Sequence, residues 1–92
     1  MMDQLKPGQL VRSLAGRDKG EHYLVIAVAD PGRVLVVDGR RRTMARPKKK
    51  NTAHLQRYER RVEIEELIHA RKLTDSQVIR YIKELAPQED VF

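Results

Sequence analysis

Two runs of cations define the chemistry open to this chain: Arg40-Arg41-Arg42 and Lys48-Lys49-Lys50, with Arg46 between them. A guanidinium grips phosphate oxygens bidentately or stacks on a base, whereas an ammonium acts as a point charge. The arginine triplet therefore suits the positioning of a phosphate backbone and the lysine triplet its attraction. Over the whole chain 19 Lys+Arg stand against 13 Asp+Glu, for a net charge of +6. The excess is local. Residues 1–38 hold five cations and five anions, residues 39–61 hold ten cations and Glu59 alone, and residues 62–92 hold four cations and seven anions, so +6 resolves into 0, +9 and −3. A neutral body, a basic band and an acidic tail point to nucleic acid as the partner of the band. Each neutralised phosphate releases counterion, and about five contacts to single-stranded or irregular RNA give a log–log salt slope near −3.5. The aromatics are Tyr23, Tyr58, Tyr81 and Phe92, a poor supply for a platform that stacks successive bases. Backbone charge is the expected target.

Other chemistries find little material. The chain has no Cys, which removes disulfides, thiolate nucleophiles and Cys-type zinc sites. Glu65 and His69 stand at i, i+4, but two ligands make no metal site, and His22, His54 and His69 fall on different expected elements. Ser13 and Ser76 are the only serines, and neither belongs to a nucleophile–base–orienter set. The reading is of a protein that is no enzyme and carries no cofactor or metal. His54 and Asn51, beside the lysines, are placed to donate to phosphate. No apolar run reaches the length of a membrane span, and the start MMDQLKPGQL lacks the pattern of a signal peptide. A cytoplasmic protein without membrane attachment is expected.

The elements that position these groups follow from periodicity. A chain of 92 residues sustains one small core. Residues 9–13 alternate polar and apolar as a short strand after the Lys6-Pro7-Gly8 turn. Residues 15–21 form a loop in which Arg17 and Lys19 lie between Gly16 and Gly20, glycines being suited to positive φ or close backbone approach. Residues 23–29 (YLVIAVA) are apolar throughout, as in a strand buried on both faces. Asp30-Pro31-Gly32-Arg33 fits a type II turn, expected as a slightly longer loop with a bulge because plain type II turns splay two-residue hairpins. Residues 34–37 are a strand closed by Asp38-Gly39, residues 40–46 its hairpin partner, and residues 52–56 a last short strand. Pro47 bars a central ladder position. This spacing describes a small meander or barrel.

From residue 57 the period becomes helical. Ile64, Leu67 and Ile68 share a face, which predicts a helix to Lys72, with Arg71 and Lys72 at its negative end. Thr74-Asp75-Ser76-Gln77 matches a capping box and opens a second helix with the apolar arc Val78, Ile79, Ile82 and Leu85, stopped by Pro87. Residues 88–92 read as a frayed end. The helix pair is expected to pack on the barrel and cover the second face of YLVIAVA. A helix–turn–helix DNA reader is disfavoured, since Arg80 and Lys83 are offset by Glu84 and Asp75.

Residues 8–39 (GQLVRSLAGRDKGEHYLVIAVADPGRVLVVDG) resemble a KOW motif. Gly8, Val11, Gly16, Gly20, Arg33 and Val37-Asp38-Gly39 follow its pattern of a Gly-started strand, a polar loop ending in Gly, an apolar strand, a turn ending in Arg, and a strand closing in Val-Asp-Gly. Within that superfamily the chain most resembles the large-subunit ribosomal protein family fourteen-e of archaea and eukaryotes, and it is similar to short bacterial KOW-domain RNA-binding proteins. The resemblance covers residues 6–56. It implies a small SH3-like β-barrel that binds ribosomal RNA through loops and basic extensions.

The expected fold is thus mainly β with α: a KOW-type barrel over residues 1–57 and a helical hairpin with a short tail over residues 58–92. The expected interface comprises Arg12, Arg17, Lys19, Arg33, Arg40, Arg41, Arg42, Arg46, Lys48, Lys49, Lys50, Asn51 and His54, with Gly16 and Gly20 shaping the loop. The expected partner is RNA, ribosomal RNA or the large ribosomal subunit in particular. The alternative is a protein-interaction module docking on a transcription or translation factor through the barrel or through the acidic helices of residues 62–86.

Overall fold

Strand periodicity extends further along the chain than the hydrophobic pattern alone suggests. In the computed structural model, which describes residues 5–87, the strands are β1 (Gln9–Ser13), β2 (His22–Asp30), β3 (Arg33–Val37), β4 (Lys48–Asn51) and β5 (Leu55–Arg61). Two helices follow, α1 (Glu65–His69) and α2 (Asp75–Leu85). The strands form one antiparallel sheet in the order β4-β3-β2-β1-β5. The fold is mainly β with α, compatible with the small barrel-like domain expected.

Alternation along each strand sends successive side chains to opposite faces, and both faces are used. Val11, Tyr23, Val25, Val34, Val36 and Leu55 gather with Leu5 in one buried cluster. Leu24, Ile26 and Val37 gather with Ile64, Leu73 and Val78 in a second, flanked by Met44, Leu67, Ile68, Tyr81, Ile82 and Leu85. The helical segment therefore does cover the second face of the sheet. On that face it covers only the first half of the apolar run, since Leu24 and Ile26 are buried while Val28 is 51% exposed.

The β2–β3 connection is tighter than expected. Asp30 pairs with Arg33, leaving Pro31-Gly32 as a two-residue turn, with φ of +86° at Gly32. The anticipated bulge is present as a register shift between Val28 and Asp30, where it absorbs twist that the turn does not match.

Three other expectations are corrected. Residues 40–46 are not a strand, because Asp38 N and Gly39 N donate to Arg42 O at 2.9 and 3.1 Å and close the chain into a loop; the partner of β3 is the lysine run of β4. Residues 52–56 are not one strand but a 3-10 turn (Thr52–His54) followed by the start of β5. The helix expected from residue 57 begins only at Glu65, because pairings such as Gln9↔Arg61 and Val11↔Arg57 hold residues 55–61 on β1. Residues 58–61 thus belong to the sheet.

The ends of α2 match the expectations, whereas α1 stops at His69, short of the expected Lys72, because the chain turns at Arg71. Past α1, Arg71 N donates to Ile68 O at 3.0 Å and Lys72 N to Leu67 O at 2.8 Å, with φ of +56° at Arg71, a Schellman closure. The capping box of α2 is present: Gln77 N donates to Thr74 Oγ1 at 3.2 Å and Thr74 N to Gln77 Oε1 at 2.9 Å. At its other end Arg60 Nη1 donates to Leu85 O at 2.8 Å. Gly39 permits the docking of α2, since a Cβ there would sit 2.6 Å from Asp75 O and 2.7 Å from Ile79 Cγ1. The frayed end expected over residues 88–92 lies outside the described residues.

Candidate nucleic-acid interface

The arginine loop is stapled from beneath. Asp38 Oδ1 accepts from both Arg40 N and Arg42 N at 2.9 Å, and Met44 N donates to Asp75 Oδ1 on α2 at 2.8 Å. These bonds fix the backbone and leave the side chains of Arg40, Arg41, Arg42 and Arg46 exposed. Among the described residues, none of these four forms an ion pair, nor do Arg17, Lys19, Arg33 or Lys49. Their charge is available to a ligand.

The lysine run behaves differently. Within β4, Lys48 and Lys50 pair with Val36 and Val34, whose side chains enter the first core, whereas Lys49 pairs with Leu35. Lys48 and Lys50 accordingly turn inward to Asp18. Lys48 Nζ lies 3.1 Å from Asp18 Oδ2 and Lys50 Nζ 3.1 Å from Asp18 Oδ1, with side chains 28%, 9% and 13% exposed for Lys48, Lys50 and Asp18. Lys50 Nζ also donates to Ala15 O at 3.3 Å. The expectation that Lys48 and Lys50 offer free charge to phosphate is therefore revised, because their ammonium groups are committed to a carboxylate inside the fold. Lys49 keeps an exposed position.

Asp18 was not singled out from sequence, yet it organises this end of the molecule. Ser13 Oγ donates to its Oδ1 at 2.8 Å and Tyr23 Oη to its Oδ2 at 2.7 Å. Burial works against its ionisation, but the bonds from Tyr23, Ser13, Lys50 and Lys48 outweigh it and hold the carboxyl well below the usual range. Burial pushes the Tyr23 hydroxyl up, reinforced by its bond to Asp18. The signal in the sequence was an acid between Gly16 and Gly20 facing a Lys-x-Lys alternation, readable only once β4 is known to be a strand.

Around this anchor the predicted loop forms as expected. Gly16 and Gly20 take φ of +85° and +94°, Lys19 N donates to Gly16 O at 3.2 Å, and Gly20 N donates to Ser13 O at 2.8 Å. Arg17 and Lys19 project into solvent. Arg12 joins them, its Nη2 lying 3.8 Å from where a Cβ on Gly20 would stand. At the β3–β4 edge Arg33 pairs with Asn51. The Asn51 side chain caps the 3-10 turn, its Oδ1 accepting from Ala53 N at 2.9 Å, and His54 is exposed. The expected residues therefore fall into the arginine loop, the 16–20 loop with Arg12, and the β3–β4 edge.

Two features of the basic band escaped sequence reasoning. Arg61 is an internal clamp, with Nε donating to Pro7 O at 3.0 Å, Nη1 to Glu63 Oε1 at 2.9 Å, and Nη2 to Glu65. His22 and Tyr58, 36 positions apart, meet across the sheet with ring centroids 5.7 Å apart and Tyr58 Oη 3.3 Å from His22 Nε2. A count of single aromatics could not reveal this pair.

Among the described residues no helix is long and apolar enough to cross a membrane. No protein-family model matches the chain, and no curated protein matches it.

Proposed function

We propose that this chain is a non-catalytic RNA-binding protein of the KOW type, cytoplasmic and associated with ribosomal RNA. The observation that carries the reading is the loop of residues 40–46, whose arginines are all exposed and free of carboxylate partners among the described residues while their backbone is held by Asp38 and Asp75. A loop whose backbone is already fixed presents its guanidinium groups to a phosphate backbone without first ordering its own chain. The 16–20 loop adds Arg17 and Lys19, and the β3–β4 edge adds Arg33 and Lys49.

Replacing Arg40, Arg41 and Arg42 together by Ala is expected to weaken binding to a ribosomal RNA fragment and to lower the magnitude of its log–log salt slope by about 2. Fluorescence anisotropy over a salt series measures both. Binding unchanged in affinity and slope would overturn the reading. In lysate, comigration with large ribosomal subunits that is lost at high salt or after ribonuclease is the expected companion result. The competing protein-docking reading is less favoured because Val78, Tyr81 and Leu85 of α2 already pack in the second cluster of the sheet. A nuclease-resistant interaction requiring residues 62–86 would reinstate it.

A further inference from the structure

A cleft of about 440 Å³ lies beside the arginine loop, lined by residues at the start of β2, just past the end of β3 and on α2. Ile79 and Ile82, three residues apart on α2, supply its apolar lining, and Arg40 and Lys83 supply cations. Both cations are exposed and free of ion pairs among the described residues. His22 forms part of the wall, backed by the Tyr58 ring. Two carboxylates complete the lining, Glu21 and Asp38. They differ in availability, because Asp38 Oδ1 is taken by the amides of Arg40 and Arg42 whereas Glu21 is exposed and without an ion pair among the described residues.

A flat ring needs apolar or aromatic faces, and its phosphate needs cations at a distance of one sugar; unpaired bases in RNA are recognised in this way. The volume falls within the range of small-molecule clefts. An available carboxylate accepts hydrogen bonds and favours a base with adjacent N–H donors, and guanine, with N1–H and the N2 amino group side by side, presents two to one carboxylate. We propose that this cleft holds one unpaired guanosine of the bound RNA, its base against Ile79, Ile82 and His22, its N–H edge toward Glu21, and its phosphate on Arg40 and Lys83. The site rests on the RNA-binding reading and adds what a row of arginines does not supply, discrimination between bases.

The test titrates the isotope-labelled full chain with the pentanucleotides UUGUU and UUUUU and with an RNA duplex, following amide shifts and affinity. UUGUU is expected to shift the amides of His22, Ile79 and Ile82 and to bind about tenfold more tightly than UUUUU, the scale of one bidentate base contact. E21Q is expected to abolish that preference, so that the variant binds UUGUU and UUUUU alike, and K83A to weaken both pentanucleotides with duplex binding nearly intact. Binding confined to Arg40, Arg41 and Arg42, with no shift at Ile79 or Ile82, overturns the cleft and leaves the RNA reading standing. Equal affinity for the two pentanucleotides overturns the guanosine assignment. Failure to bind any of the three RNAs overturns both.

Discussion

Residues 40–42 and residues 48–50 are equal in charge and in length, but one triplet lies in a loop and the other in a strand. In the loop, hydrogen bonds from the Arg40 and Arg42 amides to Asp38 fix the backbone and all three arginines are exposed. In the strand, alternation divides the lysines, so that Lys49 faces out while Lys48 and Lys50 reach Asp18. Two cations on one carboxylate leave a local net charge of +1, largely removed from water. Such a cluster is tolerable only when the remaining lone pairs are satisfied, and the hydroxyls of Ser13 and Tyr23 do this. A count of basic residues therefore overstates the charge a ligand can meet. Of the ten cations in residues 39–61, Lys48, Lys50 and Arg61 are engaged by carboxylates and Arg60 by the Leu85 carbonyl.

The largest effect that separates the two triplets is expected from Asp18. Asp18→Ala leaves two inward lysines without their acid and should cost about 3 kcal/mol, the low end for breaking a buried pair, as read from urea denaturation. The same carboxyl gives a pH signature. Its folded pKa lies below the ordinary 3.8, so its contribution is fully present above that value and is lost as pH falls through the folded one. Asp18→Asn should flatten this acid limb. Tyr23 has the opposite sense, contributing below its ordinary 10.0 and losing that contribution as pH rises toward its folded value.

A smaller contrast compares neighbours. Lys50→Ala, which leaves Lys48 on Asp18, should cost about 2 kcal/mol without altering the RNA salt slope. Lys49→Ala should leave stability within about 0.5 kcal/mol and reduce the slope by about 0.7. Equal behaviour of the two variants would dissolve the distinction between an inward and an outward lysine. The smallest effect falls on the staple of the arginine loop. Asp38→Ala should lower stability by about 1 kcal/mol and weaken RNA binding with little change in slope, since no phosphate-binding cation is removed.

Much of the fold was legible wherever local chemistry and tertiary context agree. Residues 9–13 alternate and form β1, the YLVIAVA run forms most of β2, and Thr74 with Gln77 caps α2 as its spacing requires. The misreadings cluster where pairing partners overrule local pattern. Residues 48–51 (KKKN) have no hydrophobic signal, and they become a strand because β3 offers an edge in register. Residues 55–61 hold one buried residue, Leu55, and are extended because β1 pairs with them. The helical arc of Ile64, Leu67 and Ile68 was genuine, yet it needed only five helical residues to reach the core. For the same reason the Asp18 cluster and the His22–Tyr58 pair were invisible, each being a product of register between distant segments.

The order β4-β3-β2-β1-β5 places the two most polar strands at the ends of the sheet. A terminal strand exposes backbone groups that invite another chain to add on. Pro47 immediately before β4, the outward Lys49, and the exposed Arg57, Glu59 and Arg60 of β5 make both ends unwelcoming to a second sheet, through a missing donor and through repulsion between like edges. The residues that guard the sheet ends are thereby the same ones that shape the charge of the surface. A polyanion that neutralises the β4 edge would leave that end less protected, so crowding of the chain on a long nucleic acid is the condition under which strand-to-strand association should first emerge.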